Sequence, residues 1–247
     1  TTTSCSSDSK RQKGKTTFLS FILQEDRKEW KDVVSNWVII SGLLKGLTVT
    51  LETLFLSVMV SLVLAFLFGF MNLSKWKIIK LIAHIYIEVF RGTSLLVQMF
   101  WLFFCLPLFG LNLPPLTVGV LALGLNYGAY GAVVVTASIQ SVPKPQIEAT
   151  IALNLSPLRK MTAVILPQAF RLMLPTFSNL TIELLKGTSL VSLVTLSDLT
   201  FQAIALRSAT METTRIFIYL LIFYFLIAYP ITLGFKWLEK RLYVGRG

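Results

Sequence analysis

The chain has 247 residues, of which 54% are hydrophobic and only 14% charged, whereas water-soluble domains carry about a quarter charged residues. That composition, with a mean hydropathy of +0.71, excludes a soluble globular domain and predicts an integral membrane protein. The net charge of +11 does not predict nucleic-acid binding, because Lys and Arg collect in the N-terminal region and in short connections between apolar runs, where anionic headgroups and the positive-inside bias place them.

Residues 1–38 are predicted to be a tail that is partly disordered. Residues 1–15 are rich in Ser, Thr and Lys, with no apolar core of a signal peptide. Phe18–Leu23 is too short to span, and residues 25–37, with Trp30 and Trp37, suit a short interfacial helix. From 39 to 247 the pattern is that of one all-α membrane domain. A crossing helix needs ~20 mostly apolar residues, and five such runs are predicted at about 42–71, 80–109, 116–141, 168–195 and 214–240. Asn72–Lys75 ends the first, Gly110–Pro115 separates the second from the third, and Pro143 and Pro145 end the third. The stretch at about 196–213 is predicted to be a loop.

With five spans, three basic connections share one side: Lys75, Lys77 and Lys80; Lys144, Arg159 and Lys160; and Lys236, Lys240, Arg241 and Arg246. That side is expected to be cytoplasmic, with the C-terminus inside and the N-terminus outside. The basic tail opposes this order, but three internal connections outvote it. Cys5, Cys105 and His84 have no metal or disulfide spacing. His84 reads as a packing residue. No catalytic group and no metal site are predicted.

The connection at about 142–167 is polar and long enough for its own helix. Gln146–Leu153 is expected to restart as a helix, with Glu148 towards its positive end. Ser156 and Pro157 stand as cap and first-turn residue of the next helix. Such an element suits docking of a soluble partner on one membrane face, though an ordinary connector has the same composition.

Glu148, Ala149, Ile165, Leu166 and Pro167 follow the Glu-Ala-Ala…Gly…apolar-Leu-Pro order of the coupling loop of ATP-binding-cassette (ABC) importer permeases, with Thr150 for the second Ala and Asn154 for the Gly. The chain resembles that family from about residue 46 to 243. FRGTSLLVQ at 90–98 and LLKGTSLVS at 184–192 resemble signature runs of its polar-amino-acid branch. Residues 86–104, 121–131, 152–154 and 192–201 are similar to permeases of ectoine and hydroxyectoine importers, a subgroup in which Asn154 is at home. There are departures: Val133 and Thr136 stand where the branch carries Glu and Arg, and Pro145 replaces a Gly.

The resemblance implies the type I importer permease fold and a multi-pass place in the bacterial cytoplasmic (inner) membrane. It implies ATPase subunits as partners, gripping Gln146, Glu148, Ala149, Asn154, Leu155 and Pro167. A second permease, expected as a heterodimer partner, and an extracytoplasmic solute-binding protein complete the assembly. Gly14-Lys15-Thr16 lacks the upstream Gly of a phosphate loop, since Ser9 is there. The chain is therefore expected to bind no cofactor, with ATP and Mg used by the ATPase partners.

Charges inside the apolar runs are the remaining signal. A lone charge at mid-membrane costs ~2.5–3.5 kcal/mol on insertion scales. Glu88 and Arg91, and Glu183 and Lys186, are each spaced i,i+3 on one helix face. They read either as ion pairs setting gate geometry or as a lining for a zwitterionic solute. Asn126, Tyr127, Tyr130, Gln98 and Asn179 are further pathway candidates. Gly124, Gly128 and Gly131 suit close helix packing. The reading is a permease subunit for a small zwitterion, most like ectoine or hydroxyectoine. The alternatives are a polar amino acid or opine importer, or an ATP-independent channel or ion-coupled carrier.

Overall fold

A computed structural model of the protein describes residues 36–243. The expectations for residues 1–35, the basic tail and the Phe18–Leu23 segment among them, lie outside the described residues. Everything regular in this range is helical. In chain order the helices are α1 (Asn36–Asn72), α2 (Lys77–Gly92), α3 (Leu95–Phe100), α4 (Pro115–Gln140), α5 (Lys144–Ala152), α6 (Pro157–Arg159), α7 (Leu166–Gly187), α8 (Leu199–Thr210) and α9 (Thr213–Tyr243).

Among the described residues three helices are long and apolar enough to cross a membrane, and counting each of two bent pairs as one span gives five. The first, third and fifth predicted runs match α1, α4 and α9. The second does not: 80–109 is not one helix, because α2 and the following segment meet at 101°. Thr93 and Ser94 are both extended there. The fourth run begins earlier than 168. Helix resumes at Pro157, with Ser156 as its cap accepting from Arg159 N at 3.4 Å, so Pro167 lies inside a helical run rather than in a loop. Finally, most of 196–213 is helix α8, not loop. Asp198 caps it, accepting from Phe201 N at 2.9 Å and Thr200 N at 3.2 Å.

Two π turns mark the prolines. Trp101–Cys105 precedes Pro107, and Lys160–Ile165 precedes Pro167. Proline has no N–H to give the preceding turn. The ladder widens instead, with Leu106 N donating to Trp101 O and Leu166 N to Met161 O.

α4 is the centre, and α1 lies along it. The approach is close because glycines face the partner helix, as their spacing predicted: a Cβ on Gly124 would stand 2.5 Å from Val60, and one on Gly131 2.6 Å from Ala65. Ala65, Val135, Ile139, Val142, Ile165 and Met173 form a core cluster at one end of the bundle, joined there by Leu73 and Phe235. The basic connections therefore gather at that end. Met99, Val118, Leu123, Val191 and Val194 form another cluster, with Leu113 and Leu196 packed on it. His84 is exposed on α2 rather than packed. Thr136, in place of a charge, is buried and bonds Ala132 O at 2.8 Å, while Val133 packs beside Ala129 and Ala132.

Candidate functional site

The break after α2 frees carbonyls that a continuous helix would satisfy, and buried carbonyls need partners. Two side-chain amides supply them. Asn126 Nδ2 donates to Phe90 O at 2.8 Å and to Gln98 Oε1 at 3.3 Å. Gln98 Nε2 donates to Phe90 O at 2.9 Å and to Thr93 Oγ1 at 2.6 Å. Thr93 Oγ1 in turn donates to Val89 O at 2.7 Å. Asn126 and Gln98 were both solute candidates in the sequence; the structure brings them together and spends their hydrogen bonds on the elbow between α2 and α3.

Neither predicted ion pair closes. Glu88, Arg91, Glu183 and Lys186 are exposed and form no ion pair among the described residues. Arg91 sits at the last turn of α2, and its guanidinium lies over the Tyr130 ring, 5.2 Å from the centroid, a cation–π contact. The Tyr130 and Tyr127 rings are 6.4 Å apart, and Tyr127 Oη donates to Glu183 O at 2.9 Å. Lys186 borders an apolar cleft of about 690 Å³ lined also by Ile182, Leu185, Ser189 and Tyr224. Asn179 and Glu183 are four residues apart on the exposed face of α7. Arg91, Tyr130, Tyr127 and Glu183 thus form a contiguous polar ledge along the middle of α4.

At the basic end, α5 connects α4 to α6. Pro143 stands at its cap, and Lys144 and Pro145 open it. Leu155 N donates to Thr150 O at 3.0 Å, closing the far end. Asn154 has φ 51°, the left-handed region that Asn tolerates far better than most residues. That is why it can stand where a Gly is expected. Glu148 and Ala149 are exposed, while Gln146 and Leu155 are half-buried; Gln146 Oε1 is buried with no partner in the chain. Pro167 lies further on, at the start of α7.

Sequence reasoning missed two features here. Ile151, Leu153 and Leu158 are 66%, 71% and 74% exposed. Three large apolar side chains stand bare on a short polar-rich connection, and their signal was present in the sequence as apolar residues between prolines. Asp198 is fully buried, and Thr50 Oγ1 accepts from the adjoining Leu199 N at 3.0 Å. An Asp before an apolar run is a cap signal.

Long apolar helices packed around α4, a short helix between α4 and α6 with bare apolar side chains, and exposed charges on α2 and α7 fit a membrane transport subunit. The family described as binding-protein-dependent transport system inner membrane component matches residues 57–244, and the chain belongs to it: it is a permease of the ABC importer class. It is 46% identical to the probable amino-acid ABC transporter permease protein y4tF of Sinorhizobium fredii, over 82% of this chain and 88% of that one. It is 36% identical to a second permease of that strain, y4tG, over 65% of this chain and 70% of that one. A crystal structure of an amino acid ABC transporter with histidines is similar at 35% identity and TM-score 0.78, covering 84% of this chain and 99% of that one. The chain is accordingly an inner-membrane, multi-pass protein. Permeases of this family carry no ATPase site of their own and work with ATPase subunits and a solute-binding protein.

Proposed function

We infer that this subunit imports a small zwitterionic solute of the amino-acid class. The observation that carries the reading is the exposure of Glu88, Arg91, Glu183 and Lys186, charges of both signs on membrane-spanning elements. Charges that expensive face a polar cavity or a partner subunit, and both signs together suit a solute carrying an ammonium and a carboxylate. Tyr130, Tyr127, Gln98, Asn126 and Asn179 adjoin them. Relatives named for amino-acid transport support the solute class. Ectoine carries the same two charges and is the finer reading, suggested by the sequence resemblance.

In the mechanism the permease pairs with a second one across this face. The two related permeases of one Sinorhizobium strain favour a heterodimer. A solute-binding protein delivers from outside. ATPase subunits, which hold and hydrolyse ATP with Mg, grip α5 through Glu148, Ala149 and the apolar face of Ile151, Leu153 and Leu158, with Gln146, Asn154, Leu155 and Pro167 shaping its mount. Their closure tilts α5 and, through the helix from Pro157 onward, moves Glu183 and Lys186 between outward and inward access. The basic end is cytoplasmic, which puts the C-terminus inside and the N-terminus outside.

The test is uptake by the reconstituted transporter of labelled arginine, glutamine, glutamate and ectoine, each competed by the others. Import of one amino acid, unaffected by ectoine, supports the amino-acid reading; import of ectoine unaffected by the rest supports the finer one. Uptake without any ATPase subunit would overturn the mechanism in favour of a channel or carrier. Glu148→Lys is expected to cut uptake about tenfold or more while ATP hydrolysis continues, since it reverses a charge at the docking face.

A further inference from the structure

The chain carries one pattern twice. EVFRGTSL at 88–95 and ELLKGTSL at 183–190 share Glu, Gly, Thr, Ser and Leu in register, with Arg exchanged for Lys. Each copy closes a helix, α2 ending at Gly92 and α7 at Gly187. Each leaves its acid and its base exposed. Their final leucines, Leu95 and Leu190, pack on the same apolar cluster around Met99, Leu123 and Val191. The copies also meet: a Cβ on Gly187 would lie 3.4 Å from Leu95 Cδ2 and 3.1 Å from Tyr127 Oη.

Two successive residues of α4 hold the two copies. Asn126 donates to Phe90 O inside the first, and Tyr127 donates to Glu183 O inside the second. Neighbours on a helix diverge by about 100°, so one side chain reaches each way from a single turn. The base of the first copy is tied to the same turn, because Arg91 lies on the Tyr130 ring and that ring adjoins Tyr127.

We propose that the two copies act as one duplicated charged helix end, bent in the first copy alone, and that Asn126 and Tyr127 are positioning residues fixing Glu88 and Arg91 relative to Glu183 and Lys186. The spacing of four charges would then be set by one rigid turn of α4, which selects zwitterions by the separation of their ammonium and carboxylate. The inference rests on the reading that these charges face the solute. Its rival is that each residue is a local strut, satisfying one carbonyl and nothing more.

The experiment uses the complete transporter, with its ATPases and binding protein, in lipid nanodiscs and proteoliposomes. Tyr127→Phe deletes one hydroxyl and keeps the ring; Asn126→Ala deletes the other donor. Hydrogen exchange is followed in segments 88–98 and 183–194, and uptake of the labelled solutes gives KM and kcat. The expectation is that either substitution speeds exchange in both segments. Tyr127→Phe should also raise KM about fivefold, the effect of one lost hydrogen bond, with kcat within about twofold. Faster exchange confined to the segment beside the altered residue, or lower kcat at unchanged KM, would overturn the proposal. If the unaltered transporter imports none of the four solutes, the proposed function fails, while the exchange result still decides the positioning role.

Discussion

The same four letters, Gly-Thr-Ser-Leu after a base, give two different backbones. At Thr93 and Ser94 the chain turns extended and bends by 101°. At Thr188 it stays helical, tightening into a 3₁₀ run to Val194 and turning only at Thr195, where φ is 64°. The four letters are the same in the two places, so their surroundings decide. The first copy has Gln98 and Asn126 to take up its freed carbonyls. The second has a single hydroxyl, from Tyr127, and a buried Thr188 that bonds back to Leu185 O at 2.7 Å. A break forms where the surroundings can satisfy it.

The two glycines should separate the copies most sharply. Gly187 is packed against Tyr127, Leu123 and Leu95, whereas nothing lies within 4 Å of a Cβ on Gly92. Gly187→Val is expected to destabilise by about 1–3 kcal/mol, the range for overpacking, and Gly92→Val by well under half of that. Thermal melting of the purified transporter measures both. Equal losses would mean that the second copy is as loosely surrounded as the first.

An effect of similar size is expected from Asn126→Leu. It leaves Gln98 Oε1 and one bond to Phe90 O unmade, worth about 1–3 kcal/mol where the groups are buried. The matching change at the second copy, Tyr127→Phe, removes a single hydroxyl and should cost about 0.5–1.5 kcal/mol. The same melting series ranks them, and the reverse order would break the account of why the first copy bends. Smallest is the pair Thr93→Val and Thr188→Val. Thr93 both donates to Val89 O and accepts from Gln98, while Thr188 makes one local bond. Each should cost about 1 kcal/mol or less, with accelerated hydrogen exchange at 93–98 only in the first.

What was legible in the sequence follows from which forces act locally. Hydropathy exposed α1, α4 and α9 because lipid demands it over their whole length. Pro143, Pro145 and the Ser156–Pro157 pair marked the limits of α5, and the glycines of α4 announced its contact with α1. The elbow at Thr93 was not legible, since its twin at Thr188 does not bend and the difference lies in residues as distant as Asn126. α8 was missed because a twelve-residue helix is shorter than a crossing one and was sought as a loop. Among the candidate residues, the spacing of Glu88 with Arg91 suggested a pair, but the base had an aromatic face nearer to hand.

The π turn at Lys160–Ile165 has a bearing on how motion travels. Such a turn holds one residue more than the regular helix, so everything beyond it is out of phase by about 100° with everything before it. The azimuth of α6, which carries Leu158, and that of the Asn179–Glu183–Lys186 stripe are therefore two separate settings of a single shaft. Lengthening or shortening that turn by one residue would rotate the stripe against α6 without changing any side chain on either.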